Sequence, residues 1–262
     1  MKINTIGNNF SFLVILLIIS FRVYGQTKIF VDKRSGVEII FNTPEVFFPQ
    51  SWYDSPSNAK IETLDSDDDI SRSLKIVKKA LQKYPVNILK SNLKKVYVFY
   101  DIEFYKVGYG GTYWEDNVYI TNKGIPNGYD DIFVEQLFHA EFSSILYLNY
   151  KQYFDKKSWK EANAPNVGYG DGGYEAIKNG SDSEDFDEET NNQCFLTQYG
   201  MSDMENDFNS FAKNLFSSDP GFWELFSKYK RLNKKLNLII KFYYSIDPQF
   251  TIEFFRKVST EY

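Results

Sequence analysis

The chain has one histidine and one cysteine in 262 residues. A single Cys excludes an internal disulfide and any zinc or iron–sulfur site built on thiolates. A single His excludes every site that needs two imidazoles from one polypeptide. An excess of positive charge is also missing. Thirty Lys and Arg stand against 35 Asp and Glu, a net charge of −5, so attraction to nucleic-acid phosphates is not expected. What is abundant is aromatic: 24 Phe, 20 Tyr and 4 Trp. So many rings cannot all be displayed on a soluble surface, and most must pack a core. With 43% hydrophobic and 25% charged residues, the composition is that of an ordinary globular protein of one large or two small domains.

Residues 1–25 read as an export leader. Lys2 supplies a weakly basic start, Phe10–Phe21 is a nearly continuous apolar run, and Arg22-Val-Tyr-Gly25 ends in a small residue. The run is shorter than the roughly 20 residues a membrane-spanning helix requires and suits a signal-peptide core. Cleavage is expected near Gly25/Gln26, giving a periplasmic or extracellular protein without a stable membrane span. With no Cys at the cleavage point, it is not a lipoprotein. Removing Lys2 and Arg22 leaves 28 bases against 35 acids, a net charge of −7.

Beyond the leader, alternating apolar residues around Ser35-Gly36 (Ile29, Val31, then Val37, Ile39, Phe41) predict a hairpin within Thr27–Phe48. Asp67, Asp68 and Asp69 after Ser66 predict a helix start, with the helix running to Tyr84 and stopped by Pro85. Strands are expected over Lys95–Tyr100 and Asn117–Thr121, joined through Gly108–Tyr113, and a long helix over about 130–150. An irregular stretch should follow over 156–192, then helices near 203–216, 220–231, 233–243 and 248–258. The class is α+β. A strand-rich subdomain (26–125) with one helix and a helical one (126–262) should make one domain.

Several motifs carry little. Gly168-Tyr-Gly-Asp-Gly-Gly173 satisfies G-x-G-x-x-G but follows Pro165-Asn-Val167 rather than a strand, and reads as a loop. Asp65, Asp67 and Asp69 have calcium-loop spacing, but Ile70 stands where Gly is needed and Ile76 where Glu is needed. The acidic run Asp182–Glu189 reads as a solvated loop. Ser143, one turn from His139, and Cys194, flanked by Phe195, are weak nucleophile candidates.

The informative stretch is the helix Asp131–Leu146. Val134, Leu137, Phe138, Phe142, Ile145 and Leu148 share one face, and Glu141 sits within it. A carboxylate there needs a structural partner, a metal or a wet cleft. His139 lies on the opposite side. Its spacing from Glu135 would allow a shared divalent ion, but it fits a surface Glu–His pair better.

Four segments in order invite comparison: Phe138-His-Ala-Glu-Phe-Ser-Ser-Ile-Leu146; Trp159 with Asn163-Ala-Pro165 and Gly168-Tyr-Gly170; Cys194-Phe-Leu-Thr-Gln-Tyr-Gly200; and Asn206-Asp-Phe-Asn-Ser210. Together they resemble an HExxH-type, gluzincin-like family of zinc-binding metallopeptidases, exported bacterial proteins whose helix reads approximately H-E-F-S-H-I-L. The pair Gly110-Gly111 suits the sheet beside such a helix. The resemblance implies a zincin-like fold, a zinc cofactor, and Glu141 as the general base that activates a metal-bound water. It also places Ala140 and Ser144 at the two His ligand positions and Ser210 at the third, a Glu. A methyl group and two neutral hydroxyls replace three strong ligands, so zinc is expected to be absent and Glu141 vestigial.

The sequence thus predicts an exported pseudo-peptidase whose cleft binds a polypeptide or protein partner. The cleft would be lined by Tyr109, Tyr113, Trp114 and Tyr199 beside an edge strand in Gly108–Thr121. Two other readings stand: a peptidase using unorthodox ligands such as His139, and a glycan- or surface-binding module presenting Trp52, Trp114 and Trp159.

Overall fold

The computed structural model describes residues 27–42 and 48–260, so the leader segment lies outside the described residues. From the amino end the chain forms β1 (Lys28–Val31), β2 (Glu38–Phe41), a short helix α1 (Gln50–Tyr53) and β3 (Lys60–Glu62). Helices α2 (Asp67–Gln82) and α3 (Val86–Asn92) precede five strands: β4 (Lys95–Phe99), β5 (Asp101–Phe104), β6 (Val107–Tyr109), β7 (Gly111–Trp114) and β8 (Asn117–Thr121). Among the described residues only helices follow. These are α4 (Asp131–Asn149), α5 (Lys156–Ala162), α6 (Gly173–Lys178), α7 (Glu188–Asn192), α8 (Met204–Phe216), α9 (Phe222–Lys228), α10 (Lys230–Ile246) and α11 (Ile252–Val258), with short 3-10 turns between some of them.

The expected hairpin is β1–β2. Its turn is set by the Asp32 carboxylate, which accepts from the Ser35 amide at 3.0 Å, and by Gly36 at φ +82°. The five-stranded sheet runs β1-β2-β4-β8-β7, with β2, β4 and β8 parallel and both edge strands antiparallel. A parallel step needs a crossover, and α2 with α3 supplies the one from β2 to β4. Ser66 caps α2 by accepting from the Asp69 amide at 3.2 Å, and the three aspartates fill its first turn.

Strand β4 is buried on both faces, as its near-continuous apolar sequence requires. Ile39, Phe41, Val96, Val98, Val118 and Ile120 face the helices. Ile40, Tyr97, Phe99 and Tyr119 face Phe48, Ile102 and Phe104 beneath the small antiparallel sheet β3-β5-β6. The stretch 156–192, expected to be irregular, contains three short helices, two of them capped by Asp155 and Asp187. No helix of the described residues is long and apolar enough to cross a membrane.

Helix α4 is enclosed on more sides than its apolar stripe predicts. Leu148, placed on that stripe, is 48% exposed, whereas Glu135 and His139 on the far side are fully covered. The Glu–His pair is therefore a core feature and not a surface one, because α2 packs its own apolar stripe against that side of α4. The Tyr84 hydroxyl lies 2.9 Å from His139 Nδ1, and His139 Nε2 lies 3.4 Å from Glu135 Oε1. A neutral ring protonated at Nε2 satisfies both contacts. Lys83 pairs with Glu135 at 2.5 Å and also donates to the Phe216 carbonyl at 2.7 Å. Burial depresses the basicity of His139 to about 4 against the pull of Glu135. Burial alone would raise the Glu135 carboxyl, but His139 and Lys83 hold it well below the usual carboxylate range.

A second buried ion pair ties the helical half together. Lys235 on α10 and Asp207 on α8 are both fully buried, 2.6 Å apart. The same Asp207 oxygen accepts from Trp159 Nε1 at 2.7 Å and from the Tyr169 hydroxyl at 2.6 Å. Lys235 also donates to the Cys194 carbonyl at 2.6 Å and lies over the Phe195 ring. Lys235→Met should leave Asp207 without its counter-charge and cost about 3–5 kcal/mol. Urea denaturation would measure this loss, and pairing the change with Asp207→Leu should recover much of it.

Candidate functional site

The sheet's edge strand reaches α4 through two glycines. A Cβ at Gly110 would stand 2.7 Å from the Leu137 side chain. One at Gly111 would stand 2.9 Å from both Glu141 Cγ and the Tyr119 carbonyl oxygen. At Gly111, where one obstacle is backbone, only hydrogen lets β7 lie this close to the helix. Pairing with β8 alternates along β7. The Thr121 amide donates to Gly110 at 2.9 Å, so the backbone groups of Gly111 and Tyr113 point outward along the free edge.

Beside this edge lies a cleft of about 250 Å³. Its wall on α4 includes Phe133, Leu137, Ala140 and Glu141, its wall on α8 includes Asn206, Asn209 and Ser210, and Tyr109 and Tyr199 also line it. The structure therefore brings Ala140, Glu141 and Ser210 to one cleft. Ser144, one turn along α4, is buried, and its hydroxyl accepts from Asn209 Nδ2 at 2.8 Å. The Ser210 hydroxyl donates back to the Asp207 carbonyl at 2.8 Å. Both hydroxyls are thus engaged within the fold, and Ala140 offers no donor atom. Among the described residues no group of three His, Cys, Asp or Glu side chains converges as a metal site requires.

Glu141 behaves unlike the other polar residues of α4. Among the described residues no hydrogen bond or ion pair reaches its carboxylate, which is half-buried at the cleft wall. Burial, with the nearby Glu205 charge adding to it, pushes its carboxyl up to about 8. At neutral pH the group is mostly a neutral acid. The Tyr113 hydroxyl donates to Glu205 at 2.8 Å. Burial first and then Glu205 raise the Tyr113 phenol, and burial with Glu141 raises that of Tyr199.

Trp114 does not join this site. Gly111 and Tyr113 share the sheet face of Ile120 and Val118, toward α4. Thr112 and Trp114 share the opposite face, where Trp114 packs edge-on against Trp52 with centroids 5.5 Å apart. Trp159 is fully buried in the Asp207 cluster. The three tryptophans therefore form no common surface. Ser143 bonds the Tyr243 hydroxyl at 2.7 Å, and the Cys194 thiol is buried and pushed up to about 11. Neither lies among the ring contacts of His139, which are Tyr84, Glu135, Phe138 and Phe216.

Sequence reasoning missed Glu205, Asn209, Asp182 and Glu184. The acidic run is not simply a solvated loop. Asp182 and Glu184 line the cleft, and Glu184 pairs with Lys213 of α8 at 3.0 Å. Only tertiary folding brings that loop to α4, so no local pattern marks it. The glycine-rich segment is a loop as expected up to Gly172, with Gly173 opening α6, and is held by Gly170 and Gly172 amides donating to the Met201 and Ser202 carbonyls.

The fold is similar to that of a putative zinc-binding metallo-peptidase from Bacteroides caccae, known from a crystal structure, with a TM-score of 0.52. The match covers 75% of this chain and 77% of that one at 19% identity, which establishes the fold alone. No protein-family model and no curated protein matches the chain.

Gly111→Ala should cost about 1–3 kcal/mol in thermal or urea denaturation, because the Tyr119 carbonyl in its path is backbone and cannot swing away. For Glu141, the folded-state proton is held above the pH at which the unfolded carboxyl, near 4.3, releases it. Stability therefore declines as pH rises from that value to about 8, and levels off above. Glu141→Gln should abolish this decline. Its advantage over the parent should grow from near nothing at about pH 4 to the order of a few kcal/mol at about pH 9, read by urea denaturation.

Proposed function

We propose that this protein is an exported pseudo-peptidase, a metallopeptidase-like scaffold that binds an extended polypeptide and does not hydrolyse it. The observation that carries the reading is chemical. The positions that would hold zinc in the resembled family are Ala140, Ser144 and Ser210. They offer a methyl group and two hydroxyls already engaged in hydrogen bonds. A catalytic zinc takes three strong ligands, and this donor set does not fit the ion. Without metal, Glu141 has no bound water of lowered pKa to deprotonate, so no hydrolytic step follows.

The free edge of β7 supports peptide binding. Outward-facing backbone groups at Gly111 and Tyr113 can pair with an added strand, and the Tyr109–Tyr199 side of the cleft offers ring surface for its side chains. The apolar run Phe10–Phe21 supports export.

Metal analysis tests the reading directly. Purified mature protein should carry less than about a tenth of an equivalent of tightly bound zinc and show no chelator-sensitive peptidase activity. Installing the missing ligands together (Ala140→His, Ser144→His, Ser210→Glu) should raise bound zinc to about one equivalent. Stoichiometric zinc in the parent, or proteolysis abolished by chelator, would overturn the proposal.

A further inference from the structure

Charge is spread unevenly over the molecule. Helices α5 and α10 together carry eight bases and one acid, in a chain whose net charge is −5. The acid, Glu161, pairs with Lys157 at 3.9 Å. Among the bases, Lys235 is buried against Asp207, and Arg231 donates to the Ala162 and Asn163 carbonyls. Lys156, Lys160, Lys230, Lys234 and Lys241 remain. All five are exposed, and among the described residues none lies in an ion pair.

The two helices lie side by side and antiparallel. Phe154, just before α5, packs on Phe242 with ring centroids 6.1 Å apart. Lys235 lies over the Trp159 ring at 5.3 Å, and the Arg231 bonds join the far ends. Positions i, i+4 and i+11 bring Lys230, Lys234 and Lys241 within about 40° of one another around α10, in a stripe about 16 Å long. Exposed bases on a helix are normally interleaved with acids one turn away, and like charges at that spacing oppose the helix. Helix α10 contains no acid, so this repulsion has no offset within it.

Apolar surface accompanies the charge. Tyr244, about 60° around α10 from Lys241, is 52% exposed, and Tyr153, next to Phe154, is 44% exposed. Lysines beside rings with a polar tip suit the headgroup level of a bilayer, where both kinds of group are satisfied. A soluble polyanion would answer the lysines and leave the rings in water.

We propose that α10, with the adjoining rim of α5, docks the protein on a bilayer surface that carries anionic lipid. The helix lies in the plane of the headgroups, its three lysines meet lipid phosphates, and Tyr244 and Tyr153 enter between them. The acidic remainder of the molecule is repelled by the same surface, which turns this face toward it.

Co-sedimentation with large unilamellar vesicles tests this on the mature protein, so that the leader contributes nothing. In about 0.1 M salt it should sediment with phosphatidylcholine vesicles containing about a quarter phosphatidylglycerol, and stay in solution with phosphatidylcholine alone. Raising the salt to about 1 M should release it. Lys234→Glu with Lys241→Glu should weaken binding at least about tenfold, since each lysine near the surface is worth roughly fivefold. Lys75→Glu with Lys78→Glu, on the exposed side of α2, changes the net charge equally and should leave binding nearly unchanged. Tyr244→Ser should weaken vesicle binding about fivefold and leave retention on a heparin column as it was. Circular dichroism melting should show each variant folded as the parent is. Equal loss from the α2 pair would overturn the assignment of this face. Absence of vesicle binding, with or without retention on heparin, would overturn the membrane as its partner.

Discussion

A helix packed on several sides must find a partner for each polar group it carries inward, and among the described residues α4 does so with one exception. Gln136 donates to the Ser217 carbonyl, His139 sits between Tyr84 and Glu135, Ser143 meets Tyr243, and Ser144 meets Asn209. Glu135 is held by Lys83 and Lys79. Each of these matches offsets a desolvation cost that would otherwise oppose the packing of α2, α8 and the sheet around the helix. Among the described residues Glu141 is left without one, and it lines the cleft. A carboxylate unpaired inside an otherwise fully matched helix points to chemistry outside the chain, and the functional reading rests on that contrast.

The segments that carry the resemblance have a common structural task independent of any metal. Trp159, Tyr169, Cys194 and Asp207 come from three of them and converge on the Lys235 ammonium or its partner carboxylate. Cys194 adopts φ +75°, which presents its carbonyl to Lys235. This cluster fixes α8 against α10, and α8 in turn carries Asn209 and Ser210 to α4. The framework does not depend on the side chain at Ser210, since Asp207 and Ser210 occupy successive turns but answer to different demands.

Much of the architecture follows from short-range signals. Ser66 with three aspartates announces α2, Ser35-Gly36 announces the hairpin, and the unbroken apolar run of β4 announces a strand covered on both sides. The α4 stripe located Glu141 on an inward face, but a single amphipathic reading assumes one buried side and assigned Glu135 and His139 to the surface. The stripe of α2, read as a second partner for α4, carries the missing information. Trp114 could have been excluded by strand alternation from Tyr113. Asp182, Glu184 and Glu205 could not have been placed, because loop and helix meet the cleft only through long-range folding.

The glycine pair that brings β7 against α4 has one more consequence. A guest segment zipped onto that margin as a sixth strand would be read from two directions at once. Every second residue would turn toward the carboxylate-lined hollow, and the intervening ones toward the Trp52–Trp114 edge on the reverse of the sheet. Recognition would then depend on a two-residue rhythm along the guest, and sliding it by a single position would exchange the two sets of neighbours completely.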